Sequence, residues 1–268
     1  MELTVDSSTR IHFLIGDPIA QVIGPTLISQ KMSDAGFNGV MLPLHVSKTD
    51  LPAVLQGFDG IQNLDSVLIT VPHKIACVSH CTSLSSRAEK LGVVNIMRRK
   101  PDGTWHGDNF DGPGFVKGLE NHGHVVSGKK VYMAGAGGAG SSIAVSLLDA
   151  GVESVAIYDK NEETLGKLCE SLDHFYPGRV KRSTPQSVGG YDIVVNATSM
   201  GLRVGDPLPV NLDGVRPGTL VADVITKPAV TPFMEDALAR GCEVTSGTDM
   251  LDGQIDLLFR FVIGEDIP

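Results

Sequence analysis

Short apolar runs alternate along the chain with stretches whose apolar residues recur at helical spacing. "IHFLIG" predicts a first strand, and "PTLISQKMSDAG" a helix closed by Gly36. "GVMLPLHV" and "DSVLITV" predict two further strands, with the helix "LPAVLQGF" between them. Strand, helix, strand at this spacing predicts βαβ units and a parallel sheet. "NIMRRKPDGTWHGDN" has strand character on both sides of Pro101-Asp102-Gly103, the pattern of a hairpin. A helix "GPGFVKGLENHG" then leads into the strand "KKVYMAGA". "SVAIYD", "YDIVVNAT" and "GTLVADVI" predict later strands with helical patterns among them, and "DMLDGQIDLLFRFVIG" an amphipathic last helix. Two α/β blocks are expected: 1–111, completed by about 240–268, and 112–239.

Composition agrees with that class. Of 268 residues, 42% are hydrophobic and only 5% aromatic, as in an α/β protein. The net charge of −9, with no basic run, argues against nucleic acid or an anionic membrane as partner. No apolar run is long enough to span a bilayer, and "MELTVDSSTR" lacks the apolar core of a signal peptide. Four Cys do not make a disulfide framework, so a cytoplasmic protein is expected. The expected partner is a small-molecule substrate, with a homodimer left open.

The first concentrated chemistry is "AGAGGAGSS", Ala134 to Ser142. Gly135, Gly137 and Gly140 fit G-x-G-x-x-G, with Gly138 and Ala139 inside the motif. A predicted strand precedes it and a helix follows. In a dinucleotide site the first Gly makes a tight turn, the second admits backbone to pyrophosphate, and the third lets helix and strand pack. Pure packing is the plainer reading of such a turn. Asp159, ending "VAIYD", stands where an acidic residue bonds ribose hydroxyls and repels a 2′-phosphate. NAD is therefore favoured over NADP, although Lys160 lies beside it. Asp159 also reads as a helix cap before "NEETLGKL", a role open to Asn161 as well.

The first block has its own polar cluster. Lys74 follows "LITVPH", Asn95 sits in "GVVNIM" and Asp111 in "GDNFDG", each at the end of an apolar run. A Lys beside an Asp can pass a proton while the pair stays nearly neutral, as alcohol oxidation requires.

These stretches together resemble the shikimate dehydrogenase family over nearly the whole chain. The matching segments are "GDPIA", "TVPHK", "GVVNIM", "GDNFDG", "AGAGGAG", "NATSMG", "TPF" and "GTDMLDGQ". The resemblance implies an N-terminal substrate domain completed by the last helix, a Rossmann domain, and NAD(P)-linked interconversion of a ring hydroxyl and ketone. It puts Lys74 and Asp111 in the places of the catalytic pair. Thr70, Asn95 and Gln254 match residues that hold substrate hydroxyls. Asn196, Thr198 and Met200 of "NATSMG", with Gly247 and Met250, match segments around the nicotinamide. NADP enzymes of the family usually carry "NRT" after the second Rossmann strand; "YDK" here agrees with NAD.

One end departs from the family. Two serines that bind the substrate carboxylate are replaced by Val22 and Gly24, a family Asn by Leu68, and a family Tyr by Thr226. Gln21, Thr26, Lys227 and His73 are the candidate replacement donors. Gly24 also raises the expectation of a backbone φ that Ser tolerates poorly. The expected substrate is thus shikimate- or quinate-like. Two alternatives stand beside it: a different small substrate on the same scaffold, or a dinucleotide-binding regulator without turnover.

Plainer readings accompany each residue. Lys74 reads as a surface lysine, Asp111 as a helix cap and Asn95 as a turn residue. His73, Cys77 and Cys81 share helical spacing, with His80 nearby, but one helix face without a second ligand pair reads as buried thiols rather than metal.

Overall fold

A computed structural model describes residues 5–20, 22–185, 188–203, 205–265 and 267. The chain divides into two units, 1–110 with 255–268, and 111–254.

The first unit is built on β1 (Arg10–Gly16), α1 (Gly24–Asp34), β2 (Gly39–His45), α2 (Leu51–Asp59) and β3 (Leu64–Ile69). A short turn of 3₁₀ helix (Ala76–His80), β4 (Ser83–Leu84), α3 (Ser86–Leu91), β5 (Ile96–Arg99) and β6 (Trp105–Asp108) follow. The sheet order is β2-β1-β3-β5-β6-β4. β1 pairs in parallel with β2 and β3, as the βαβ pattern predicts. The sheet is nevertheless mixed, because β5 runs antiparallel to both β3 and β6. The β5–β6 reversal is the predicted hairpin, closed by Lys100 N–H to the Thr104 carbonyl at 2.7 Å, with Gly103 at φ 84°. Ile15, Val46, Val67, Met97 and Trp105 are buried in one core cluster with Leu51, Leu55 and Phe58 of α2. Each large side chain so buried stabilises the unit by about 1.5–3 kcal/mol relative to exposure.

The second unit contains α4 (Asp111–Asn121), β7 (Lys130–Ala134), α5 (Gly138–Asp149), β8 (Ser154–Tyr158), α6 (Glu162–Phe175) and β9 (Val180–Arg182). It continues with β10 (Ile193–Asn196), β11 (Leu220–Asp223), α7 (Pro232–Ala239), β12 (Glu243–Thr245) and the start of α8 (Gly247–Val262). Its six strands are all parallel, in the order β12-β11-β10-β7-β8-β9. Sheet order reverses between β7 and β10, and such a switch point leaves a ligand crevice at the strand C-termini. The inner strands β7, β8, β10 and β11 are near-continuous apolar runs because both faces are covered; Val131, Val155, Val194, Val195 and Val221 are fully or nearly fully buried.

The boundaries differ from those read in the sequence. Asp111 opens α4 and belongs to the second unit. Residues 240–254 also stay there, because β12 adds to β11 and Gly247 packs on the end of β11. Only Ile255 onward returns to the first unit. There Phe261 packs edge-on to Phe110, and Arg98 donates to the carbonyls of Phe261 and Glu265, both at 3.0 Å. Among the described residues no helix is long and apolar enough to cross a membrane, and all four cysteines are free thiols.

Candidate functional site

The glycine turn between β7 and α5 divides its labour among its glycines. Gly135 has φ 109°, a conformation only Gly adopts readily, and a Cβ there would lie 2.6 Å from the Ala197 carbonyl oxygen. A Cβ on Gly140 would lie 2.1 Å from the Gly135 oxygen, so this glycine serves close packing. Gly137 and Gly138 are different: a Cβ on either would meet nothing within 4 Å. Those two positions open onto space. Gly137 caps α5 without a side-chain acceptor, and no acidic residue occupies the first turn. The first N–H groups of a helix lack intrahelical partners and attract an anion.

A pocket of about 360 Å³ lies at this turn. Of the residues named from the sequence, Gly135, Gly137, Asp159, Thr198 and Met200 line it. Asn196 is fully buried behind that wall. Gly138, Ala139 and Gly140 form the first turn of α5. Gly247 and Met250 open α8 and are not among the lining residues; a Cβ on Gly247 would sit 2.3 Å from the Val224 oxygen, so its place is one of packing. Lys160, Pro185, Ser199, Leu208 and Pro209 also line the pocket. Pro185, Leu208 and Pro209 lie in irregular segments with no pattern to single them out.

Asp159 reaches the turn itself. Its carboxylate accepts from the Ala136 N–H and from the Asn161 N–H, each at 2.8 Å. A carboxylate has about four lone-pair sites, so these two bonds leave acceptor capacity for a ribose hydroxyl. The cap of α6 falls to Asn161, whose Oδ1 accepts from Thr164 N–H at 3.0 Å.

Around the ends of β10 and β11 a closed polar network stands behind the pocket wall. Asn196 and Asp223 are neighbours in register, both nearly or fully buried. Asn196 Nδ2 donates to Asp223 Oδ1 at 3.1 Å and to the Met200 carbonyl at 3.0 Å. Its Oδ1 accepts from Thr198 N–H and from Thr198 Oγ1. Asp223 further accepts from Ile225 N–H at 3.0 Å and Thr231 Oγ1 at 2.8 Å. Burial pushes the Asp223 carboxyl above its ordinary range, and these three donors oppose that rise.

Also in the second unit, Gln254 Nε2 donates to Asp111 Oδ1 at 2.7 Å. Glycines create that contact. A Cβ on Gly114 would strike the Gln254 Cβ at 2.5 Å, and one on Gly253 the Gly114 oxygen at 2.4 Å. Backbone therefore meets backbone where α8 crosses α4, and Asp111 and Gln254 are brought to hydrogen-bonding distance.

In the first unit, Thr70, Lys74 and Asn95 gather at the end of β3. Ile69 N–H donates to the Asn95 carbonyl at 2.7 Å, and Val94 N–H to the Lys74 carbonyl at 3.1 Å. Asn95 is buried and its Oδ1 accepts from Phe110 N–H at 2.9 Å, so its side chain helps hold the strand end as well. Thr70 and Lys74 are half-buried.

Gln21 lies outside the described residues. Val22 and Gly24 precede and open α1. Gly24 is not among the glycines with positive φ, which overturns the expected backbone obstacle. A Cβ there would instead lie 3.1 Å from Leu14 Cδ1 and 3.3 Å from Leu68 Cδ2. Two departures from the family pattern, Gly24 and Leu68, thus compensate each other in volume. Of the candidate donors, Thr26 is exposed on the first turn of α1, and Lys227 is exposed in the second unit. His73 is withdrawn: it is buried, and its Nε2 bonds the Val46 carbonyl at 2.7 Å. Cys77 is buried and Cys81 partly so, with burial pushing their thiols up to about 12 and about 11.

A doubly wound parallel sheet, a glycine turn at its switch point and an acidic residue on the next strand define a protein of the dinucleotide-binding Rossmann class. A family profile described as the shikimate dehydrogenase substrate binding domain matches residues 14–97. The shikimate dehydrogenase (NADP(+)) of Rubrobacter xylanophilus is 33% identical, over 92% of this chain and 88% of its own. The shikimate 5-dehydrogenase of Listeria monocytogenes, solved with shikimate and NAD, superposes with TM-score 0.92 at 26% identity, covering 100% of this chain and 96% of that one. The 5-ketofructose reductase of Gluconobacter sp. strain CHM43 superposes with TM-score 0.89 at 26% identity, covering 97% and 95%. The chain belongs to the shikimate dehydrogenase family. It is accordingly a dehydrogenase acting on a CH–OH group.

Proposed function

We propose that the protein oxidises and reduces a shikimate- or quinate-like ring alcohol with NAD, the first unit holding substrate and the second the dinucleotide. The observation that carries the cofactor assignment is Asp159, fixed by Ala136 N–H on the pocket wall. A carboxylate there accepts ribose hydroxyls and repels a 2′-phosphate. The Rubrobacter relative is named for NADP(+), so the NAD assignment for this chain rests on Asp159.

Oxidising a ring alcohol removes a hydride from carbon and a proton from oxygen. A bound nicotinamide supplies the hydride acceptor. The chain must take the proton, and Lys74 fills that role. Its amine accepts the proton from the hydroxyl, and its ammonium returns it during reduction. Asp111, oriented by Gln254, carries the balancing negative charge. Thr70 and Asn95 hold the remaining hydroxyls. The test is a screen of polyhydroxy cyclic acids for NADH formation, followed by kcat/KM with NAD and NADP on one active substrate. NAD is expected to lead, and Asp159→Ala to narrow the preference about tenfold. Equal or better use of NADP by the wild type would remove the cofactor assignment.

A second reading has one observation behind it. Leu14, Leu68 and Gly24 meet as hydrocarbon where the family places serines and an Asn. A substrate with a neutral end, such as a keto sugar of the kind named for the Gluconobacter neighbour, needs no anion donors there. Including uncharged ketoses in the screen separates the two.

A further inference from the structure

Resting on the reading of the second-unit pocket as the dinucleotide site, we infer that Asp223 is a positioning residue for that pocket. It sets the orientation of the Asn196 amide and, through it, the course of the 198–200 segment that forms one wall.

An amide has one donor end and one acceptor end and can be turned either way; an ionised carboxylate only accepts. Asp223 lies beside Asn196 at 3.1 Å, so only the NH₂ end can face it. That choice leaves the Asn196 oxygen pointing to Thr198, where it accepts from both the N–H and the Oγ1. Thr198 Oγ1 in turn accepts from Met200 N–H at 3.0 Å, while the second Asn196 N–H holds the Met200 carbonyl. Turning the amide over would set oxygen against carboxylate and NH₂ against the Thr198 N–H, and would break the side-chain bonds to Asp223, the Met200 carbonyl and the Thr198 N–H. Thr198, Ser199 and Met200 all line the pocket, and Ala197 packs on Gly135 of the glycine turn. Asp223 itself is not among the lining residues. Its influence therefore passes through Asn196.

The same carboxylate has a second duty on its other side. Its Oδ2 takes the Thr231 hydroxyl, and Thr231 caps α7 through Met234 N–H. This supplies an internal control, because Thr231 bonds the carboxylate without touching the pocket segment in the network.

The experiment is calorimetric titration of the full-length chain with NAD and with NADP, together with thermal unfolding and steady-state kinetics. Asp223→Ala is expected to raise the dinucleotide Kd about tenfold while kcat at saturating dinucleotide changes less than about twofold. Asp223→Asn keeps an oxygen toward Asn196 and is expected to recover most of the affinity. Thr231→Val is expected to lower Tm and leave Kd within about twofold. An unchanged Kd in a folded Asp223→Ala overturns the inference, as does Thr231→Val weakening binding as much as Asp223→Ala does. Should Asp223→Ala fail to fold, Asn196→Asp decides: it loses both donors and sets two carboxylates together, so an unchanged Kd overturns the inference and a rise of about tenfold supports it. A wild-type chain that binds neither dinucleotide overturns the pocket reading and this inference together.

Discussion

At the strand ends of the second sheet, polar side chains are buried and closed upon one another: each end of the Asn196 amide makes two hydrogen bonds, and Asp223 accepts three. At the start of α1 in the first unit, the places of family serines and an Asn are filled by Val22, Gly24 and Leu68, and the last two meet as hydrocarbon. On the proposed function, the difference follows from what each end would recognise. A dinucleotide would be met by backbone N–H groups, a glycine turn and a segment held by hydrogen bonds, and a single change in such a network leaves a buried group unpaired. A substrate end built from side chains in van der Waals contact could be rebuilt by complementary swaps of volume. The first arrangement resists change and the second permits it.

The largest expected effect separates chemistry from binding. Lys74→Ala should lower kcat by about 10²–10⁴-fold, the usual contribution of a positioned acid/base group, with dinucleotide affinity unchanged. Titration calorimetry beside a steady-state assay measures both; near wild-type turnover would take Lys74 out of the mechanism. Next come two glycines of one turn with opposite consequences. Gly137→Val fills the open space beside the pocket and should weaken dinucleotide binding at least about tenfold with little change in Tm. Gly140→Ala drives a methyl into the Gly135 carbonyl and should cost roughly 1–3 kcal/mol of stability, read by urea unfolding. Similar behaviour of the two variants would erase the division of labour within the loop.

At the substrate end, Val22→Ser should lower the KM for shikimate by roughly tenfold if it restores one charge-assisted bond. Gly24→Ser alone should do less, because its side chain meets Leu14 and Leu68; pairing it with Leu68→Asn relieves part of that contact. No response to any of the three would show that another group already holds the carboxylate.

The smallest effect contrasts two buried ionisable groups. Asp223 is satisfied, whereas His12 is fully buried with Nδ1 on Ser66 Oγ and Nε2 without a partner among the described residues. Burial lowers the His12 pKa to about 4. A folded-state pKa below the unfolded one means that stability is complete above the unfolded value, near 6.5, and falls as the unfolded state takes up its proton. Between pH 7.5 and 6 the loss should be roughly 1 kcal/mol. His12→Phe should flatten that part of the pH profile in chemical denaturation.

Much of this architecture can be read along the chain. The inner strands of both sheets are largely buried apolar segments, and the strand, glycine turn, helix and Asp159 of the second unit stand in an order that spacing reveals. β4, β9 and β12 have only two or three residues each, too few to carry a period. The antiparallel course of β5 depends on strand order, which alternation does not encode. Asn196 and Asp223 are 27 residues apart and meet only through the register of two parallel strands. Gly24 shows a subtler failure. A glycine suggests backbone freedom, but its cause here is the volume of Leu68, a neighbour on another element.

The first unit is discontinuous: its sheet is made from residues up to Phe110, and the helix end that covers Phe110 and engages Arg98 begins only at Ile255. During synthesis the ribosome must deliver the whole second unit in between. At roughly 5–20 residues per second that interval is on the order of ten seconds. For that time the aromatic face of Phe110 stands bare on a nascent chain, while the second unit, contiguous in sequence, can close as it emerges. The order of birth is thus the reverse of the order of completion, and a ribosome stalled shortly before Phe261 leaves the earliest-made unit as the one exposed to chaperones and proteases.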